Sequence, residues 1–121
     1  MGDGKTVNQR NVYKREKDTF YMLTKQKIIT ALEEHKAEIR SFGVTKLTLF
    51  GSYARGEATA KSDIDFLVEF KKGRGLFADF SGLLNLLEDL FHKKIDLGEP
   101  TLIRSEFKES ILGGEKIEAR I

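Results

Sequence analysis

Two aspartates one residue apart, Asp63 and Asp65, lead directly into a nearly unbroken apolar segment at residues 64–70. Successive side chains of a β-strand point to opposite faces, so these two carboxylates would share one face of a strand. The larger apolar side chains would then line the other face. The segment therefore predicts a strand with one face in the core and a carboxylate pair on the other.

Helical periodicity occurs on both sides of this strand. Residues 24–42 carry apolar side chains three and four positions apart, with Thr24 as a candidate N-cap and Gly43 as the C-terminal stop. Residues 76–91 repeat the pattern and predict a second helix, in which Leu76 is expected to face inward. Each helix would cover part of a sheet.

Shorter segments complete the predicted fold. Residues 44–50 are β-branched and apolar between two glycines, which indicates a short buried strand. Residues 71–75 are interpreted as a flexible basic loop. Further elements are expected at residues 94–97 (a strand), 104–112 (a helix) and 115–121 (an edge strand). Strands interleaved with helices predict an α/β fold, a small mixed β-sheet flanked by helices.

Composition limits the class of protein. The 121 residues suffice for one domain, which we expect to span residues 24–121, with residues 1–23 forming a basic, disordered N-terminal arm. No segment has the apolar length of a membrane span, and no cysteine is present, which fits a cytoplasmic protein. The net charge of +2 is too small to indicate direct nucleic-acid binding.

A glycine-serine turn follows the strand at residues 44–50. Gly51 would let the backbone pass close to a ligand, because no Cβ stands in the way. Ser52 could cap a short helical turn that ends at Arg55, and would offer its hydroxyl and nearby N–H groups to an anion. The turn is a candidate phosphate site, although Gly-Ser pairs also occur in ordinary turns.

The carboxylates give this turn a possible chemistry. Asp63 and Asp65 would lie about 6–7 Å apart on one strand face, near enough to share a divalent metal, unless they only form a solvated turn. Asp96, on the predicted strand at residues 94–97, could reach the same metal from a neighbouring strand. Three carboxylates beside a phosphate site are the components of two-metal phosphoryl transfer.

The spacing of these residues resembles a known family. Gly51-Ser52, ten intervening residues and Asp63-Ile64-Asp65 are similar to the signature of the polymerase-β-type nucleotidyltransferase superfamily. The flanking residues, with Ile95-Asp96-Leu97 downstream, resemble its minimal nucleotidyltransferases, the antitoxins of MNT/HEPN toxin–antitoxin pairs.

The resemblance implies a type VII-like antitoxin that transfers AMP from ATP to a tyrosine hydroxyl of a HEPN ribonuclease toxin, its hetero-oligomeric partner. Gly51 and Ser52 would hold the triphosphate, and Arg55 would either contact phosphate or brace the turn through a carboxylate. Asp63 and Asp65 would bind two Mg²⁺ ions, and Asp96 would complete the ion that activates the acceptor.

Two other functions remain open at this point. The chain could be an antitoxin that only binds and masks its toxin, using its basic loop or its helices. It could also be a nucleotidyltransferase that acts on RNA or on a small molecule. The three carboxylates favour an enzyme, because unused like charges in one pocket would only reduce stability.

Overall fold

The computed structural model describes residues 23–100 and 114–121. This part of the chain forms a four-stranded sheet with helices packed against it. In chain order the elements are α1 (Lys25–Glu34), α2 (Lys36–Ser41), β1 (Val44–Phe50), α3 (Gly51–Arg55), β2 (Ile64–Phe70), α4 (Phe77–Phe91), β3 (Ile95–Gly98) and β4 (Lys116–Glu118).

The sheet is mixed, as the sequence predicts. Its strand order is β3-β2-β1-β4; β1 pairs antiparallel with β2 and β4, and β2 pairs parallel with β3. Strands β1 and β2 have the predicted bounds, whereas β3 lies one residue later than expected. The predicted edge strand is confirmed as β4, within residues 115–121.

One face of the sheet forms the core. Leu47 pairs with Val68, and Leu49 pairs with Phe66, so these side chains point to the same side. Helices α1 and α4 contribute the other half of the core. Fully buried residues include Ile28, Leu32, Ile39, Leu47, Leu49, Ile64, Phe66, Val68, Leu83 and Leu87. Successive residues of a strand point to opposite faces, so the alternate residues of β1, β2 and β3 lie on the other face of the sheet.

The predicted helix at residues 24–42 is two helices, not one. Thr24 caps the first as expected, since its hydroxyl accepts a hydrogen bond from the Lys27 N–H at 3.2 Å. The helix ends at His35, whose Nδ1 lies 2.9 Å from the Ala31 carbonyl oxygen and whose backbone leaves the helical region. A side chain that binds a backbone group of the preceding turn competes with helix continuation. Gly43, with φ at +85°, stops the second helix.

The loop between β2 and α4 is tied down, so the prediction of a flexible basic loop is wrong. Arg74 donates to both carboxylate oxygens of Asp79 at 2.8 Å and to the Ser41 carbonyl oxygen at 2.9 Å. The Gly75 N–H donates to the same carboxylate at 2.9 Å. These bonds join the loop to the start of α4 and to the end of α2.

Leu76 also departs from its prediction. It is the N-cap of α4 and is 75% exposed, instead of facing the core. The helical repeat continues correctly from Phe80, which packs against the core, but the repeat extends one residue too far at its N-terminal end. Helix starts are set by the chain's entry direction, which the apolar repeat does not encode.

Some predicted features lie outside the described residues. These are the helix at residues 104–112 and nearly all of the N-terminal arm at residues 1–23. Leu23, at the beginning of the described part, packs against the core. Within residues 23–100 and 114–121, no helix has the length and apolar character required to cross a bilayer.

Replacing Asp79 with Asn tests the tie between the loop and α4. Hydrogen bonds from Arg74 and from the Gly75 N–H lower the pKa of Asp79 from 3.8 to about 2. The ionised form therefore stabilises the fold above pH 4, and this contribution is lost as the pH falls through about 2. We expect Asp79→Asn to lower Tm at pH 7, with a difference from wild type that shrinks below pH 3. Asp89→Asn, at an exposed site on the same helix, should leave Tm unchanged; equal losses would contradict the assignment.

Candidate active site

One end of the sheet brings a glycine and two carboxylates together. Asp65 on β2 pairs with Phe50 on β1 and with Asp96 on the parallel strand β3. Directly paired residues of neighbouring strands share a face and lie about 5 Å apart. Asp65 is therefore flanked by Asp96 on one side and by the start of the Gly51-Ser52 turn on the other.

Gly51 lies directly against the Asp65 carboxylate. A Cβ at this position would overlap Asp65 Oδ2 and would lie 3.0 Å from its Cγ. The residue also has φ at +77°, a conformation that costs other residues free energy. The backbone conformation therefore favours glycine, and any Cβ at this position would force the Asp65 side chain to move.

Like charges and burial make Asp65 hard to ionise. Burial is the largest cause, followed by the negative charges of Asp96 and Asp63, and together they raise the pKa of Asp65 from 3.8 to about 6. A hydrogen bond shared with Asp96 adds to the rise, and the positive charge of Arg55 opposes it. The site therefore has a surplus of negative charge that a cation would relieve.

Asp63 stands apart from the facing pair. It is exposed and precedes β2, and it acts on Asp65 through its charge rather than through a hydrogen bond. In the described part of the chain, no three carboxylate or histidine side chains converge as a ready metal site. The structure thus brings Asp65 and Asp96 together and leaves Asp63 at the rim.

The facing pair suits a hard divalent cation. Mg²⁺ commonly takes one or two carboxylates and completes its octahedron with water and substrate phosphates. Asp65 and Asp96 offer two carboxylates that repel each other when ionised, which is the donor chemistry such an ion requires. The residues present therefore fit the predicted magnesium, with Asp63 close enough to contribute charge.

Ser52 lies in the turn, but it is not a helix cap as expected. Helix α3 begins at Gly51, its N-cap is Phe50, and no side chain caps it. The prediction, with Ser52 as N-cap and Tyr53 as the first helical residue, started the helix two residues late, because a positive-φ glycine is unusual at the first helical position. Ser52 is half-buried, and its hydroxyl has no hydrogen-bond partner among the described residues, which leaves it available to a ligand.

Arg55 braces the turn in this structure. Its Nε donates to Glu57 Oε1 at 2.9 Å, with both side chains about half exposed or more. Exposed pairs of this kind contribute little stability. Arg55 also lies near enough to Asp65 for its positive charge to lower the pKa of that carboxyl.

Sequence reasoning missed Lys93. Its Nζ donates to the Ala60 carbonyl oxygen at 2.8 Å and lies 6.0 Å from the centre of the Tyr53 ring. These contacts join the chain after α4 to the segment between α3 and β2, which carries Asp63. No pattern in the sequence predicts these contacts, because Lys93 and Ala60 are more than thirty residues apart.

The small mixed sheet, with Asp65 and Asp96 beside the Gly51-Ser52 turn, is the arrangement that the resemblance to nucleotidyltransferases implies. Residues 26–117 match the nucleotidyltransferase domain family, over most of the chain and across all of the candidate site residues. The chain belongs to this family, so the resemblance drawn from motif spacing is confirmed.

Individual relatives agree with the family match. Protein adenylyltransferase MntA of Thermococcus cleftensis is 39% identical over 92 residues, which cover 75% of this chain and 92% of the relative. A Methanocaldococcus jannaschii protein, provisionally named a protein adenylyltransferase, is 40% identical over 88 residues, which cover 73% of this chain and 86% of the relative.

Solved structures show the same fold. A structure described as a minimal nucleotidyltransferase aligns with a TM-score of 0.67 at 30% identity, covering 80% of this chain and 97% of the other. One chain of a toxin–antitoxin complex with AMP-PNP aligns with a TM-score of 0.54 at 22% identity, covering 79% and 72% respectively. The second likeness is one of fold alone.

Replacing Asp65 with Asn should stabilise the protein in EDTA at neutral pH. The unfolded chain loses the Asp65 proton near pH 3.8 and the folded chain near pH 6, so the stability cost of the charge grows between these values. We expect Asp65→Asn to gain about 1–2 kcal/mol at pH 7, allowing for solvent screening, and nothing at pH 3.5. Thermal unfolding at both pH values measures it, with Asp89→Asn as the control. A loss of stability at pH 7 would contradict the assignment.

Replacing Gly51 with Ala separates backbone strain from the contact with Asp65. Gly56 has nearly the same φ, +74°, but a Cβ there would meet nothing within 4 Å. Gly56→Ala should therefore cost only the left-handed backbone term, about 1–2 kcal/mol. Gly51→Ala should cost a further ~1–3 kcal/mol from overpacking against the carboxylate. Denaturant unfolding measures both variants; equal losses would show that the contact is unimportant.

Proposed function

We propose that this protein is an adenylyltransferase that moves AMP from ATP to a tyrosine hydroxyl of a HEPN-domain toxin, as the antitoxin of a type VII-like pair. The observation that carries the proposal is the Asp65–Asp96 pair beside Gly51, a surplus of negative charge next to a turn in which the Ser52 hydroxyl has no partner among the described residues. The relatives named as protein adenylyltransferases support the same reaction. Because the reaction consumes ATP, we expect it to occur in the cytoplasm.

The proposed reaction is a single displacement. The acceptor oxygen forms a bond to the α-phosphorus of ATP, the bond from that phosphorus to the bridging oxygen breaks, and pyrophosphate leaves. The acceptor proton passes to water. Such transfers depend on positioning and on electrostatic stabilisation rather than on covalent chemistry by the protein.

Each site residue has a role in this proposal. The Gly51 backbone and the Ser52 hydroxyl would contact the triphosphate, and Arg55 would hold the turn through Glu57. Asp63, Asp65 and Asp96 would hold two Mg²⁺ ions, which when bound would neutralise phosphate charge and activate the acceptor hydroxyl. Residues 24–121 would form the catalytic domain, with residues 1–23 outside it.

Masking without catalysis is the weaker alternative. An antitoxin that only covers its toxin has no use for Asp65, whose ionisation opposes folding at neutral pH. Substitutions that remove a destabilising charge are readily accepted in evolution unless function requires the residue. Transfer to RNA or to a small molecule uses the same carboxylates, so only the identity of the acceptor separates it from the proposal.

Incubation with ATP, Mg²⁺ and the co-encoded toxin tests the reaction. Intact-protein mass spectrometry should show that the toxin gains one or more AMP units, and EDTA should prevent the gain. Asp63→Asn, Asp65→Asn and Asp96→Asn should each slow transfer by about 100-fold or more, since each removes charge from the metal site. Asp89→Asn should retain the wild-type rate.

Two results would overturn the proposal. Toxin that is neutralised without any mass gain would establish masking as the mechanism. Transfer of AMP to RNA or to a small molecule, with the toxin left unmodified, would retain the chemistry and replace the acceptor.

A further inference from the structure

Two large apolar side chains stand exposed on the surface. Among residues 23–100 and 114–121, the exposed large hydrophobic residues are Leu76, at 75%, and Phe77, at 86%. They are adjacent at the start of α4. Single exposed apolar residues are ordinary, whereas two adjacent ones of this size form a small contiguous apolar patch.

The pair is held on a rigid support. Arg74 binds Asp79 through two hydrogen bonds and also binds the Ser41 carbonyl oxygen, so the turn before Leu76 is fixed at three points. The Lys71 N–H donates to the Gly43 carbonyl oxygen at 2.8 Å, which ties the base of the same turn. Because the backbone is already fixed, binding through these side chains requires little further ordering of the chain.

The turn that precedes the pair carries basic side chains. Lys71 and Lys72 are exposed in the turn that leads to Leu76, whereas Arg74 is already occupied by Asp79. Charged residues at the rim of an apolar anchor steer association and select partners of opposite charge. An occupant of this surface would therefore have an apolar pocket with an acidic rim.

The surface lies far from the carboxylates. Asp65 is at one end of β2 and Phe70 is at the other, which separates them by roughly 17 Å along the strand. The turn extends from the far end, beside Gly43 at the start of β1. A protein acceptor is large enough to contact both places at once.

We propose that Leu76 and Phe77, with Lys71 and Lys72 as a basic rim, form a docking surface for the protein acceptor, which contributes an apolar pocket rimmed by acidic residues. This assignment rests on the proposed function. Two side chains supply far less than the ~800 Å² per partner that a stable dimer buries, so they suit an anchor within an enzyme–substrate contact better than a self-association interface.

A double variant, Leu76→Ser with Phe77→Ser, removes the apolar anchor without damaging the fold. Both side chains are exposed, and serine is a favoured N-cap at the position of Leu76. With the co-encoded toxin as the acceptor, we expect KM for the toxin to rise about tenfold or more, while kcat and KM for ATP stay at wild-type values. The conservative variant Phe77→Leu should restore most of the loss.

Charge reversal tests the rim. Lys71→Glu with Lys72→Glu should slow association with the toxin by about tenfold at low salt and by much less at high salt. Lys25→Glu with Lys36→Glu makes the same change in net charge at exposed sites on α1 and α2 and should leave association unchanged. Equal effects of the two pairs would show that bulk charge, not this surface, governs association.

Direct binding without ATP keeps this test separate from the test of catalysis. Calorimetry in the absence of ATP should show that the serine double variant binds the toxin about tenfold more weakly than wild type. This expectation holds whether or not the wild-type protein is found to transfer AMP in the separate test of catalysis. Wild-type affinity in that variant overturns the docking surface and leaves the proposed reaction standing. A wild-type homodimer that the same variant dissociates, seen by sedimentation, also overturns it, because the surface would then hold a second copy. Weaker binding of the serine double variant, with no AMP transfer by the wild-type protein, supports the surface and refutes the reaction.

Discussion

Burial of one face of β2 is the constraint on which the rest of the site depends. Ile64, Phe66 and Val68 are fully buried, so a slip of one residue in the strand register would force Asp65 into the core. Burying an unpaired carboxylate there would cost far more free energy than the strand pairing contributes. The hydrophobic pattern therefore fixes the register, and the register fixes Asp65 between Gly51 and Asp96.

The strands could be predicted because their signals are local. Alternation over residues 64–70 and the glycines around residues 44–50 suffice to define both, and the structure has the same bounds. The break at His35 and the exposure of Leu76 could not be predicted in this way. Both depend on where a helix meets the rest of the fold, and helical periodicity carries no such information.

The site shows the same division between local and tertiary information. Motif spacing identified the Gly51-Ser52 turn and the carboxylates, and parallel pairing brings Asp65 and Asp96 face to face as strand geometry requires. The position of the α3 start and the contacts of Lys93 were not foreseen. For Arg55, a carboxylate partner was one of two alternatives, but its identity as Glu57 was not predicted. Short polar contacts between distant segments are set by packing, and the spacing of residue types along one chain does not report them.

The two ends of β2 meet different physical demands, which explains why the fold separates them. At the Asp65 end, like charges oppose folding, and Gly51 leaves room for the Asp65 carboxylate. The fold is therefore less stable at the place where a cation and a phosphate would bind. At the Phe70 end, Arg74 and Asp79 fix a turn that carries exposed apolar residues. The carboxylates need a cation to neutralise their charge, whereas the exposed apolar side chains need only a rigid backbone to hold them in place. Under the proposed docking, an anchor a strand's length away would let acceptor binding proceed without disturbing the charge balance around Asp65.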